Sequence, residues 1–356
     1  MNYDKLTKLR QEIDELNLEI LELLSKRANI ALDIGKIKQI HGYPRYDPIR
    51  EQEILQHVVK ANNGPFTDEV VSCLFKEIFK ATKLLQETYS KAGLKVARKT
   101  KDNNTLIEVK DVVIGGDKKA FIFGPCSIES KKQLEQTAEL LSKKGFKFIR
   151  GGAYKPRTSP YEFQGLGLEA LQLMHEISEK YNLISVVEVM DKEQLKESLA
   201  YIDIIQIGSR NMQNFSLLKA CGKVNKPVLL KRGFQATIEE FKLSAEYIMS
   251  EGNEQIILCE RGIRTFENAT RNTLDISAVP ILKQETHLPV IVDVSHAAGR
   301  KDILGYLAKA ALASSSDGIM AEVHPNPRVA LSDSNQQMDF TEFEAFLKHI
   351  NYESFS

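Results

Sequence analysis

From residue 4 to residue 40, aliphatic side chains recur every three or four positions: Leu6, Leu9, Ile13, Leu16, Ile20, Leu23, Ile30, Ile34 and Ile37. That period predicts one long amphipathic helix. Arg27 breaks the seam at a position where an aliphatic residue is due. The segment HGYPRYDP ends the helix, and Asp47-Pro48 reads as an N-cap and N1 proline of a second helix reaching about Asn63-Gly64. A third helix is expected from near Thr67, on Val71, Leu74, Ile78, Thr82, Leu85 and Tyr89. Three helices of this kind make a poor monomeric core by size scaling, so an interlocked dimer is the expected solution.

The pattern then changes. Residues 90–104, SKAGLKVARKTKDNN, are polar and basic with no apolar face. LIEVKDVVIGG follows as an extra strand or hairpin. Beyond it come eight β-rich runs: AFIFGP, FKFIRG, LISVVEV, IDIIQIG, PVLLKRG, QIILCERG, LPVIVDV and GIMAEV. Helical patterns separate most of them, at 131–144, 166–181, 238–251 and 302–313. Eight β–α repeats predict a (β/α)8 barrel. The expected chain is therefore α/β: an all-helical domain at 1–90, a linker at 91–104 and a barrel at 105–356.

Composition removes several function classes. Lys+Arg and Asp+Glu both number 48, so there is no basic excess for general nucleic-acid binding. The start, MNYDKLTKLR, carries charges where a signal peptide needs an apolar core, and no apolar run is long enough to span a bilayer. Four unevenly spaced cysteines without a CxxC argue against a disulfide framework and for a reducing cytoplasm. Cys73, Cys221 and Cys259 read as small buried apolar groups.

Cys126, His296, Glu322 and Asp333 each sit in a Gly/Pro/Ser-containing segment after an apolar run. One thiol, one imidazole and two carboxylates suit a catalytic divalent-metal site open to substrate. Arg150, Lys155, Arg157, Arg210, Lys231 and Arg261 occupy similar positions, which implies a substrate with several negative charges. Active sites of such barrels form at the C-terminal ends of the strands, where these residues fall.

GPCS, RGGAYKPRTSPYEFQGLG, IGSRNMQN, LLKRG, CERGIRTFEN, DVSHAAG and AEVHPNP resemble the type I-beta 3-deoxy-D-arabino-heptulosonate 7-phosphate (DAHP) synthases over roughly residues 105–350. The resemblance implies condensation of phosphoenolpyruvate with erythrose 4-phosphate, the first step of the shikimate pathway. It implies a divalent cation, manganese or another, on Cys126, His296, Glu322 and Asp333. Arg150, Lys155, Arg210, Lys231 and Arg261 would grip phosphoenolpyruvate, and Arg157 and Thr158 the second phosphate. Lys155 is the proton-transfer candidate, and Glu188 and Asp293 orient water or sugar. His324 is a weaker rival ligand, and Arg264 stays open between substrate and structure. The sister 3-deoxy-manno-octulosonate 8-phosphate synthases typically have KANRS where this chain has KPRTS. An aldolase using Lys155 or Lys231 as a Schiff base is the third alternative.

LRQEIDELNLEILELLSKRANIALDIGKIK followed by DPIREQEIL resembles the AroQ-class chorismate mutases over residues 1 to about 90. There, Arg10 of the other subunit and Arg27 would bind the carboxylates of chorismate, and Lys38 and Gln86 the ether oxygen. Glu51 and the Asp47 backbone would meet the ring hydroxyl, and Arg50 and Thr82 would line the site. The combined expectation is a bifunctional enzyme whose mutase domain also senses chorismate or prephenate, in a homo-oligomer: a dimer through the helices and a tetramer through the barrels. The competing expectation is a helical binding module with negligible turnover.

Overall fold

The computed structural model describes residues 2–41, 47–155, 159 and 161–355, and the chain divides into two compact units, Met1–Leu94 and Lys95–Ser356. Among the described residues, no helix is long and apolar enough to cross a membrane.

The first unit holds α1 (Asn2–His41), α2 (Pro48–Lys60) and α3 (Asp68–Ala92). Asp47 caps α2 by accepting the Arg50 N–H at 3.0 Å, with Pro48 at N1, as the DP dipeptide predicts. The predicted seam of α1 stays in solvent within one chain: Leu6, Leu9, Ile13, Leu16, Ile20, Leu23, Ile30, Ile34 and Ile37 are all exposed. So long a run of exposed aliphatics leaves a continuous apolar face along α1.

The second unit opens with an antiparallel hairpin, β1 (Ile107–Val109) and β2 (Val112–Ile114). Eight parallel strands then close a barrel: β3 (Ala120–Gly124), β4 (Phe148–Arg150), β5 (Ile184–Val189), β6 (Ile204–Ile207), β7 (Val228–Lys231), β8 (Ile256–Glu260), β9 (Val290–Asp293) and β10 (Gly318–Glu322). Ile107, Val109 and Ile114 of the hairpin share one core with Ile122, Phe148, Val186, Leu229, Cys259, Ile291 and Met320 of the strands, closing the N-terminal end. On the other face of β3, Phe121 and Phe123 meet Phe146, and Phe123 meets Phe343 of the helix Phe340–Ile350 at 4.8 Å.

Residues 95–104, within the expected linker, are held against the second unit. Glu246 accepts the Lys95 and Val96 N–H groups, each at 3.1 Å, and Val96 is buried. His287 receives Thr105 Oγ1 at Nδ1 (2.6 Å) and holds the Lys95 carbonyl at Nε2 (2.7 Å). The basic composition hid this because the anchoring groups are mostly backbone.

Candidate active site

Side chains alternate along a strand, so the residue two steps past an interior hydrophobic points inward again, higher up the barrel. Counting up from Phe148, Val186, Leu229, Cys259, Ile291 and Met320 gives Arg150, Glu188, Lys231, Arg261, Asp293 and Glu322. On β3 the same parity passes through Gly124 to Cys126. Gly124 has φ +146, and a Cβ there would lie 2.1 Å from the Arg150 carbonyl, so only glycine lets β3 and β4 approach this closely.

The ligand-type atoms of Cys126, Glu322 and Asp333 all lie within 4.8 Å of one another. His296 joins them through Nε2, 3.5 Å from Glu322 Oε1 and 3.8 Å from Asp333 Oδ2. Asp293 caps the helical turn Val294–Ala298, accepting the His296 N–H at 3.0 Å and holding His296 Nδ1 at 2.7 Å. With Nδ1 engaged by a carboxylate, Nε2 is left as the atom facing the cluster, the arrangement of a metal-binding histidine. Gln336 donates to Glu322 Oε2 at 2.6 Å, and Gln337 accepts the Cys126 N–H at 2.9 Å. Asp333 takes a positive φ of 47°, a conformation an aspartate tolerates better than most residues.

The electrostatics fit a cation among these groups. Burial, aided by the Glu322 and Asp333 charges, pushes the Cys126 thiol up to about 12. A divalent ion at the same atoms would reverse that balance and favour thiolate. Burial also works against ionising Glu322 and Asp333. His296 and Arg150 nonetheless hold Glu322 below its ordinary range, and Arg271 and His296 do so for Asp333. Burial depresses His296 below its ordinary value against the pull of Asp293 and Glu322. The donor set therefore suits a borderline divalent ion.

Beside this cluster, Arg150, Lys155, Glu188, Arg210, Lys231 and Arg261 line one cleft of about 220 Å³. Arg150 Nη1 bonds Glu322 Oε1, and Lys231 Nζ lies 2.5 Å from Asp293 Oδ2, both pairs buried. Arg261 differs. It is 2% exposed, no carboxylate pairs with it among the described residues, and burial lowers it to about 10. A buried guanidinium binds an anionic group strongly, often through two parallel hydrogen bonds. Lys155 Nζ is 3.0 Å from Cys126 Sγ; burial opposes its charge, but Cys126, Glu188 and Glu322 hold it above its ordinary value, so it stands as an acid. Glu188 presses on Gly208, where a Cβ would come 1.9 Å from Oε1.

Arg157 and Thr158 lie outside the described residues. His324 does not join the cluster: Nδ1 accepts the Asn326 N–H and Nε2 faces Glu129 at 3.5 Å. Arg271 escaped the strand-end rule because it follows no apolar run; it reaches Asp333 at 3.2 Å and Gln336 at 2.8 Å.

In the helical unit, Arg27 donates to Thr82 Oγ1 at 2.7 Å and stacks over Phe79, while Gln86 donates to the Ala31 carbonyl. Arg50 pairs with Glu53 at 2.8 Å beside the Asp47 cap, and Glu51 is half-buried. Lys38 is half-buried. Arg10 is exposed and, seventeen residues before Arg27 on the same helix, lies about 26 Å away by helical rise, so one chain does not bring the two together.

Residues 95–354 match the model of the DAHP synthetase I family, and residues 9–87 match chorismate mutase type II. The phospho-2-dehydro-3-deoxyheptonate aldolase of Thermotoga maritima is 54% identical over 255 residues, covering 72% of this chain and 75% of that protein. The 2-dehydro-3-deoxyphosphooctonate aldolase of Koribacter versatilis is 31% identical over 253 residues, covering 65% of this chain and 90% of that one. The crystal structure of the Thermotoga maritima DAHP synthase aligns with a TM-score of 0.71 at 52% identity, over 73% of this chain and 76% of that chain. A truncated form of that enzyme aligns at 0.68 and 49%, over 73% and 95%.

Proposed function

The chain belongs to the DAHP synthetase I family, and on that premise we propose that its barrel joins phosphoenolpyruvate to erythrose 4-phosphate, releasing phosphate, while its helical unit converts chorismate to prephenate. The observation that carries the barrel reading is the buried Arg261, which no carboxylate pairs with among the described residues, in the same cleft as His296 and Asp333.

Arg261 and Arg210 receive the carboxylate and phosphate of phosphoenolpyruvate, with Lys231 and Arg150 completing the positive wall. Arg157 and Thr158 hold the second phosphate. Cys126, His296, Glu322 and Asp333 hold a divalent cation, manganese by preference, which when bound supplies Lewis acidity at the aldehyde. The C3 of phosphoenolpyruvate bonds the aldehyde carbon, and Lys155 delivers a proton to the aldehyde oxygen. Water oriented by Glu188 and Asp293 adds at C2, and the C2–O bond to phosphate breaks. The cleft's own contribution is orientation and charge placed in advance.

In the helical unit, Arg27 and a second copy's Arg10 bind the carboxylates of chorismate, with Lys38 and Gln86 at the ether oxygen. Glu51 and the Asp47 backbone meet the ring hydroxyl, and Arg50 and Thr82 line the pocket. The exposed seam of α1 supports the dimer this requires. Barrel contacts extend the dimer to a tetramer, and bound chorismate or prephenate inhibits the barrel. The work is cytoplasmic.

The test is an assay of the purified chain with phosphoenolpyruvate and either erythrose 4-phosphate or arabinose 5-phosphate, with and without EDTA and prephenate. Turnover of the four-carbon aldehyde that EDTA abolishes is expected. Preference for arabinose 5-phosphate, or EDTA-resistant turnover, refutes the barrel reading. Prephenate inhibition that survives deletion of residues 1–94 refutes the sensor.

A further inference from the structure

Phe234 follows the β7 segment by three residues, and three arginines, one from the loop after β6 and two from the loop after β8, converge on its ring. The guanidinium carbons of Arg261, Arg264 and Arg210 lie 4.6, 5.1 and 5.6 Å from the ring centroid. Its backbone is held on both sides. The Phe234 carbonyl accepts the Arg264 N–H at 2.7 Å, and the Gly233 N–H meets Met212 Sδ at 3.0 Å. Arg232 Nε donates to the Ala236 carbonyl at 3.0 Å, so the turn carrying the ring is closed. Arg232 and Glu260 have the parity opposite to Lys231 and Arg261; they pair at 2.9 Å, and Glu260 also accepts the Gly262 N–H at 2.6 Å. The two strand ends that present Lys231 and Arg261 are thereby bolted together behind the ring.

Like charges would otherwise separate three guanidinium groups, and Arg210 and Arg264 are exposed enough to sample many rotamers. The electron-rich face of an aromatic ring attracts a cation, more so where water is excluded, and a planar guanidinium also stacks on it. Among the described residues, no carboxylate pairs with Arg210, Arg261 or Arg264. The ring gathers these cations while leaving their outer N–H groups for a ligand.

We propose that Phe234 is a positioning residue for the anion site: its ring sets Arg210 and Arg261, with Arg264 beside them, so that they meet the carboxylate and phosphate of phosphoenolpyruvate as one preformed receptor. This inference rests on the reading of the cleft as the phosphoenolpyruvate site. It predicts a cost in ligand affinity from loss of the π face alone, because an aliphatic side chain of similar bulk supplies packing without a quadrupole.

The chain has no tryptophan, so Phe234→Trp installs a single fluorophore at the point of interest. The full-length chain and its Phe234→Leu, Phe234→Tyr and Phe234→Trp variants are titrated with phosphoenolpyruvate and, separately, with inorganic phosphate and Mn2+. Phe234→Leu is expected to weaken phosphoenolpyruvate about tenfold, or about 1.4 kcal/mol. The KM for phosphoenolpyruvate should rise in step while kcat stays within about threefold. The Tyr and Trp variants should recover most of the loss, and Trp emission should change saturably with the ligand. Mn2+ affinity should not move in any variant. The inference is overturned if Leu binds like the original, if all three variants weaken alike, or if Leu weakens Mn2+ equally. Binding of inorganic phosphate without phosphoenolpyruvate by the unmodified chain would sink the substrate reading and leave the Leu–Trp comparison on phosphate to judge the ring. Binding of neither sinks both.

Discussion

Asp293→Asn changes one oxygen to nitrogen at a fully buried position and tests the logic of the centre. The carboxylate has two jobs: it faces Lys231 Nζ at 2.5 Å and His296 Nδ1 at 2.7 Å. Both contacts fall on Oδ2, while Oδ1 accepts the His296 N–H at 3.0 Å. The Asn oxygen can keep Lys231 and Nδ1, but its NH2 then faces the His296 N–H, and two donors cannot share that contact. The cap that seats the imidazole is lost, and with it the negative charge that keeps Nε2 a good donor to a metal. Outer-sphere changes of this sort lower metal affinity by about 10–100-fold, or about 1.4–2.7 kcal/mol. Lys231 meanwhile keeps a buried charge without its counter-charge. Breaking such a pair costs about 3–5 kcal/mol, and the retained hydrogen bond puts the expected loss near the low end. Calorimetric titration of the metal-free chain with Mn2+ reads the first effect, and thermal unfolding in EDTA the second. A Mn2+ affinity within threefold of the parent would refute the argument that Asp293 seats and polarises the imidazole, whatever happens to stability.

Cys126→Ser should lower affinity for a thiophilic ion such as Cd2+ by more than the roughly 10–100-fold of an outer-sphere change, and should abolish the sulfur-to-metal absorption band of a Co2+-loaded chain. Retention of that band would remove Cys126 from the ligand set. Arg27→Ala should cut chorismate turnover by about 10²–10³-fold, the usual scale for losing one aimed donor, while condensation by the barrel is unchanged. Unaltered mutase kinetics would return the helices to a purely structural role. His287 sits buried below its ordinary value of 6.5, chiefly through burial, with Lys101 and Arg98 adding to it against the Lys95 carbonyl. Its folded pKa is the lower one, so its contribution is complete above about 6.5 and declines as pH falls from there toward the folded value. Protection factors at the Thr105 and His287 amides, taken against the slower intrinsic exchange at acid pH, should therefore fall on going from pH 7.5 to 5.5, and an effect absent from His287→Gln would assign it; an unchanged protection factor would refute it.

Much of the barrel could be read from the chain because parity carries the information. Once Phe148, Leu229, Ile291 and Met320 are taken as interior, Arg150, Lys231, Asp293 and Glu322 follow two residues on, inside the same cavity. The helical seam was legible for the same reason, periodicity, and its exposure in one chain follows from its length. What stayed hidden depends on loops. Arg271, Gln336 and Gln337 belong to no strand, and their aim is set by backbone paths that no local pattern encodes. Phe234 reads in sequence as one more apolar residue; only the meeting of three segments gives it neighbours. The anchoring of the linker was not legible because a polar, basic composition says nothing about carbonyls and amides, and those tie residues 95–105 to Glu246 and His287.

The hairpin of Ile107, Val109 and Ile114 makes the barrel a cul-de-sac. With the floor stoppered, every visitor enters and departs through a single doorway, so molecules must queue. Whatever docks on the buried guanidinium of Arg261 arrives before anything that sits above it and leaves after it. Kinetics should accordingly show a compulsory order of addition, and the outer reactant, supplied alone in excess, should act as an obstruction.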